Sequence, residues 1–177
     1  MDELKQKVAV GVITELTKDS IKVAFNAVKK YYKDLSEKEA IDFGNSYAKY
    51  LEIASNKVSM VKTILFRKVP VDLYTIYECI NLRCNGNEIE SKDVNNILAS
   101  GHKIIITGTA GIGKTTMLRH LFLNTIRTSA LIPVFVELRG VNAEDKDISI
   151  FELIYNSLSN CGFNVEKDYY KYSLESG

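Results

Sequence analysis

Lys103-Ile104-Ile105-Ile106-Thr107-Gly108-Thr109-Ala110-Gly111-Ile112-Gly113-Lys114-Thr115-Thr116 decides how the rest of the chain is read. From Gly108 to Thr115 it satisfies the spacing G-x-x-x-x-G-K-[ST] at every fixed position. The flanks suit the motif. Lys103–Thr107 is short, apolar and β-branched, which predicts a fully buried strand. On the far side Met117, Leu118, Leu121, Phe122 and Ile126 recur as one face of a 3.6-residue helix. Strand, glycine loop and helix in that order aim backbone N–H groups and a helix N-terminus at one point, where a polyphosphate is held.

The residue types dictate the chemistry. Gly108, Gly111 and Gly113 let the backbone wrap an anion in conformations that a side chain resists. Lys114 is expected to reach the β- and γ-phosphate oxygens as a point charge, and the Thr115 hydroxyl to complete a Mg²⁺ shell. The expected nucleotide site is therefore Gly108, Thr109, Ala110, Gly111, Ile112, Gly113, Lys114, Thr115 and Thr116, with ATP or ADP and Mg²⁺ as its ligands and Thr115 as the metal residue.

Composition excludes several other classes. At 177 residues and 46% hydrophobic content the chain buries a core, and a formal net charge of +1 offers no electrostatic footprint for nucleic acid. Cys79, Cys84 and Cys161 are odd in number and lack C-x-x-C spacing, so they read as reduced thiols rather than a disulfide frame or a zinc site. His102 and His120 are too few and too dispersed for a ligand set, and read as residues flanking the loop and its helix. No apolar run approaches the roughly 18 residues of a membrane span, and the N-terminus lacks the basic start and apolar core of a signal peptide. The expected location is cytoplasmic.

Outward from the loop, the chain divides into three expected parts. Residues 1–66 read as a helical module. Leu4, Val8, Val12 and Leu16 recur every four residues; Ile21, Ala24, Phe25, Val28, Tyr31, Tyr32 and Leu35 form a second stripe, expected to pack on the face of a third helix. Ser36 and Glu39 make a capping box that opens that third helix, with Ala40, Phe43, Tyr47, Leu51, Ala54 and Val58 on one face and a helical continuation through Met60–Phe66. Residues 67–101 read as a connector. Leu73–Leu82 is rich in β-branched and aromatic residues and predicts a strand, Asn85-Gly86-Asn87 a turn, and Val94–Ala99 a short helix with Gly101 at C′. Residues 102–177 hold the loop. Beyond it, Leu131–Leu138 predicts a second core strand, Asn142–Asp147 a polar surface loop, and Ser149 with Glu152 a capping box opening a helix along Ile150, Leu153, Ile154 and Leu158 that Gly162 closes.

Hydrolysis at such a loop also needs an acid at the end of another core strand, to hold Mg²⁺ through water and orient the attacking water. Glu137, after Val134-Phe135-Val136, is the one candidate, and a boundary residue of an ordinary strand is the commoner role for such a Glu. No clear acidic strand follows, and a β-α-β-α unit alone leaves a parallel sheet with open edges. The expected fold class is α/β: an N-terminal helical module followed by the first, incomplete part of a P-loop NTPase parallel sheet, as if the chain were an N-terminal portion.

The run Ile104-Ile105-Ile106-Thr107-Gly108 to Arg119, followed by Ile132-Pro133-Val134-Phe135-Val136-Glu137-Leu138-Arg139, resembles the opening of a bacterial-type NACHT domain, in the STAND class of nucleotide switches. Val71–Leu82 also looks like the segment that precedes such domains. The resemblance covers residues 100 to about 160; the first 66 residues are outside it. It implies an ATP/ADP-binding signalling switch that controls self-association or an effector through the N-terminal helices, in bacteria often in antiviral defence. It also implies a basic residue near the nucleotide at Arg139, although a solvated strand-end Arg fits that position equally. The winged helix, sensors and recognition repeats of the family have no counterpart in the sequence. Two other readings stay open: a small P-loop kinase or self-contained ATPase using Glu137, opposed by the lack of an Arg-rich lid, and a non-enzymatic helical interaction module carrying a remnant loop.

Overall fold

A computed structural model describes residues 37–62, 69–128, 131–138, 148–168 and 170–171. In chain order the regular elements are α1 (Glu37–Ser59), β1 (Met60–Val61), β2 (Val71–Asp72), α2 (Leu73–Ile76), β3 (Leu82–Cys84), β4 (Asn87–Ile89), α3 (Val94–Leu98), α4 (Lys114–Thr128) and α5 (Ile150–Ser159). Helices thus mix with two small antiparallel sheets, β1–β2 and β3–β4. The residues gather into two compact units, one of Ser55–Leu131 and one of the segments before and after it. The stripes of the first two expected helices, from Leu4 to Leu35, and the cap at Ser36 lie outside the described residues, as does the Asn142–Asp147 loop.

In the unit formed by the outer segments, the α1 face foreseen from spacing is buried at Phe43, Tyr47, Leu51 and Ala54, joined by Tyr50. Its described partner is the stretch after α5. Phe163 meets Phe43 and Tyr47 at ring-centroid distances of 6.1 and 4.7 Å, and Tyr170 lies 5.6 Å from Phe163. Both are buried. The expected capping box at the start of α5 is present in full: the Ser149 hydroxyl accepts from the Glu152 N–H, and the Glu152 side chain accepts from the Ser149 N–H. Gly162, at φ +85°, closes the helix. Ile150 departs from the expected apolar face, with 76% of its surface exposed, while Leu158 is fully buried.

Residues 131–138 carry no strand pairing, and Leu131 and Leu138 are exposed. The Tyr50 hydroxyl ties this segment to α1, donating to the Pro133 carbonyl at 2.8 Å. Burial is the main reason the Tyr50 hydroxyl resists ionisation well beyond the ordinary tyrosine range, against the opposing effect of a backbone hydrogen bond from Phe135.

The Ser55–Leu131 unit revises the connector. The helix through 59 does not continue into Met60; instead Met60 and Val61 pair with Asp72 and Val71. The predicted Leu73–Leu82 strand opens as one helical turn, because the Asp72 side chain accepts from the Tyr74 N–H as an N-cap. Strand propensity describes fit to a pleated surface, and among the described residues no strand pairs with 73–81 to supply one. The Asn85-Gly86 turn is where it was expected, and it closes a hairpin: Leu82, Arg83 and Cys84 pair with Ile89, Glu88 and Asn87. Asn85 and Gly86 both have positive φ, 50° and 85°, as a two-residue hairpin loop requires. The short helix α3 follows, capped by Asp93 and ending at Ala99, so Gly101 falls one place beyond C′. Val94 and Ile97 of α3 pack on Met117 and Leu121 of α4, with Tyr77, Leu82, Ile89 and Ile106 against that cluster.

Lys103–Thr107 is also without strand pairing, and here burial differs from expectation: Ile104 is exposed and Ile105 is 90% exposed. A parallel strand draws its hydrogen bonds and both its covered faces from neighbours, and among the described residues no strand is paired with it. Only Ile106 of the three isoleucines turns into the core.

Candidate nucleotide-binding site

The loop is held from below by the helix it feeds. Met117, 1% exposed, anchors the first turn of α4 in the core, and its N–H bonds the Gly113 carbonyl at 2.9 Å. Leu121, Phe122 and Ile126 continue the buried face as the spacing predicts, whereas Leu118, foreseen on that face, is exposed. Gly111 (φ +78°) and Gly113 (φ +98°) occupy the left-handed region that favours glycine. Gly108 is different. Its backbone is ordinary, and a Cβ there would lie 3.3 Å from Ile112 Cγ2, so its lack of a side chain is a matter of space.

All nine expected site residues lie together in one unit. The Lys114 ammonium folds back over the loop and donates to the carbonyls of Gly108 and Thr109, both at 2.8 Å. Thr109, Ala110, Gly111, Ile112 and Thr115 are exposed, and Gly113, Lys114 and Thr116 half-buried, so the loop presents itself to solvent. No acidic side chain occupies the first turn of α4. The positive end of a 15-residue helix is therefore not neutralised by the helix's own residues. These features fit an anion: N–H groups of a helix start, an adjacent ammonium, and glycines where the backbone must turn sharply. Among the described residues no group of three or more His, Cys, Asp or Glu side chains could hold a metal. Mg²⁺ at this site would rest on Thr115, with phosphate and water supplying its other oxygens.

Beside the loop is a cavity of about 330 Å³, lined by Ile80, Leu82, Ile97, Ile106 and Met117 with Asn81, Arg83 and Lys114 among its polar walls. That volume is within the range of small-ligand sites, and the mixture of apolar walls with few polar groups is their usual make-up. Ile80 ties the connector to the loop, since a Cβ on Gly113 would lie 3.4 Å from its Cδ1. Asn81, whose amide donates to Glu88 at 2.7 Å, and Arg83 are the residues that sequence reasoning missed. The signal that leads to them is Asn85-Gly86, a hairpin turn that places its first strand against the loop.

Behind the loop, His120 has a structural role, as expected. Its Nε2–H donates to the Lys92 carbonyl at 3.1 Å, Nδ1 shares a hydrogen bond with the Tyr74 hydroxyl at 3.3 Å, and Tyr77 stacks on the ring at 4.7 Å. The carbonyl can only accept, so Nε2 carries a hydrogen. Burial pushes the Tyr77 hydroxyl up to about 12 and raises that of Tyr74, the latter against the lowering influence of Arg127. Glu137 is exposed and belongs to the other unit, and Arg139 lies outside the described residues.

Cys79 and Cys84 are exposed free thiols and Cys161 is buried. No helix among the described residues is long and apolar enough to cross a membrane. Comparison with protein-family models, with curated proteins and with solved structures returns no match.

Proposed function

We propose that this chain binds the polyphosphate of a nucleotide, ATP or ADP with Mg²⁺, on the Gly108–Thr116 loop, and that it works as a nucleotide switch of the NACHT/STAND type. The observation that carries the reading is the Lys114 ammonium held on the Gly108 and Thr109 carbonyls over a loop with two left-handed glycines at an uncompensated helix start. In this reading Lys114 exchanges those carbonyls for phosphate oxygens, the backbone of Gly111–Thr116 donates to them, and Thr115 holds the metal. The metal, when bound, offsets phosphate charge. The apolar cavity beside the loop receives the base. Strand roles for 103–107 and 131–138 in a parallel sheet, self-association or an effector contact through the N-terminal helices, and a part in bacterial antiviral defence belong to the same proposal.

Calorimetry with Mg·ATP and Mg·ADP tests it. Lys114→Ala removes a charge-assisted contact of about 1.5–3 kcal/mol, an expected loss of about ten- to a hundredfold in affinity. Equal affinity in wild type and mutant would sink the proposal. Phosphate release at saturating Mg·ATP separates switch from enzyme: the expected rate equals that of the Lys114→Ala control, and turnover that needs both Lys114 and Glu137 would favour the kinase or ATPase alternative.

A further inference from the structure

The helix that begins at the phosphate loop also grips the C-terminal end of α1. Arg119 Nη1 donates to the carbonyls of Lys57, Val58 and Met60 at 3.3, 3.1 and 3.2 Å. Lys57 and Val58 lie in the last turn of α1, where carbonyls have no partner further along the helix, and Met60 opens β1. A guanidinium suits this place on two grounds. Its Nη1 carries two hydrogens, which the three carbonyls share, and its charge sits at the negative end of the α1 dipole.

Arg119 is five residues past Lys114 on one unbroken helix, about 7.5 Å along the axis. Its guanidinium is committed to the α1 carbonyls. At the other end of the same short span, Lys114 is committed to the Gly108 and Thr109 carbonyls, a set that a phosphate must displace. Loop and helix share a backbone hydrogen bond, Met117 N–H to the Gly113 carbonyl, so a rearranged loop bears directly on the first turns of α4. Neighbouring side chains strengthen the tie to upstream segments: His120 holds the Lys92 carbonyl, and Asn124 accepts from the Val94 N–H at 2.7 Å. α4 is thereby joined to what precedes it at several points, and through Arg119 to α1.

We propose that Arg119 couples occupancy of the phosphate loop to the C-terminal end of α1, so that the end of this 23-residue helix registers whether the loop holds an anion. The inference rests on the phosphate-binding reading of the loop. Coupling is reciprocal: whatever free energy ligand binding puts into the clamp, breaking the clamp returns as altered ligand affinity.

Amide hydrogen exchange on the whole chain, with and without Mg·ADP, reads this directly. In the wild type Mg·ADP is expected to change exchange of amides in residues 51–61 severalfold, beyond any change across α5 (150–159), which serves as the reference for general stabilisation. In Arg119→Ala the same amides exchange faster without ligand and no longer respond, and the Mg·ADP affinity shifts severalfold although position 119 is bonded elsewhere. If Arg119→Ala does not fold, Arg119→Gln is held to the same criterion. Mg·ADP that binds the wild type by calorimetry yet leaves 51–61 unchanged, or changed only as much as α5, overturns the coupling and spares the binding site. So does an Arg119 variant that binds and responds as the wild type does. Failure of the wild type to bind Mg·ADP at all removes the site, and the coupling with it.

Discussion

Gly111 and Gly162 have nearly the same backbone conformation, φ +78° and +85°, in very different surroundings, and that contrast yields a crossed prediction. An alanine in the left-handed region costs roughly 1–2 kcal/mol. At Gly111 an added Cβ meets nothing within 4 Å, and the loop is exposed. With no packing to hold it, the ligand-free loop in Gly111→Ala relaxes towards an ordinary φ, so folding stability changes little. Binding an anion then requires the strained conformation to be restored. The cost appears in affinity: about 1–2 kcal/mol, or roughly five- to thirtyfold weaker Mg·ADP.

At Gly162 the Cβ would lie 2.8 Å from Ile53 Cδ1 and 3.2 Å from Lys49 Cε, the ends of two exposed side chains, while Cys161 and Phe163 on either side are buried and fix the backbone. There relaxation is blocked, and displacing those side chains adds roughly 0.5–1.5 kcal/mol to the backbone cost. Gly162→Ala should therefore lose about 1.5–3.5 kcal/mol, a fall in Tm of roughly 3–14 °C for a chain of this size, with Mg·ADP affinity unchanged. Thermal denaturation and calorimetry on both variants decide it. The reasoning fails if Gly111→Ala loses stability without losing affinity, or if Gly162→Ala melts with the wild type.

Two further outcomes follow from the packing. Phe163→Ala removes the ring shared by Phe43, Tyr47 and Tyr170, and should cost about 3–5 kcal/mol in urea denaturation; a midpoint within error of the wild type would show that the α1 face is covered by something else. At alkaline pH the Tyr77 hydroxyl titrates near 12 rather than 10.0 because it is buried, so the stability it contributes is complete below about 10 and falls as pH rises towards 12. That hydroxyl has no well-formed hydrogen bond among the described residues, so Tyr77→Phe should be close to neutral at pH 7 and more resistant at pH 11. Alkaline unfolding curves that coincide for the two proteins would refute this.

Features of the fold whose determinants are local were legible in the sequence. The α5 capping box needs only Ser149 and Glu152 three residues apart, the β3–β4 turn needs only Asn85-Gly86, and the loop glycines that must adopt positive φ announce themselves by spacing. The α1 stripe was legible because a helix supplies its own backbone bonds and leaves one face to be buried. Lys103–Thr107 and Leu131–Leu138 show no strand pairing among the described residues for the converse reason: a β-branched apolar run fits a strand, whereas pairing depends on a neighbour that spacing does not specify. The same asymmetry governs the site. Lys114 and Thr115 could be named because the loop is a contiguous motif. Asn81 and Arg83 are reached only through the Asn85-Gly86 turn, and Arg119 by no motif, since their parts depend on where a hairpin and a helix end come to lie. In the proposed reading the motif locates the phosphate end of the site, while the cavity wall and the link to α1 rest on residues outside it. If Arg119 has the proposed role, the signalling content of this chain lies in its long-range hydrogen bonds more than in the loop, and substitutions that spare every motif position will still uncouple it.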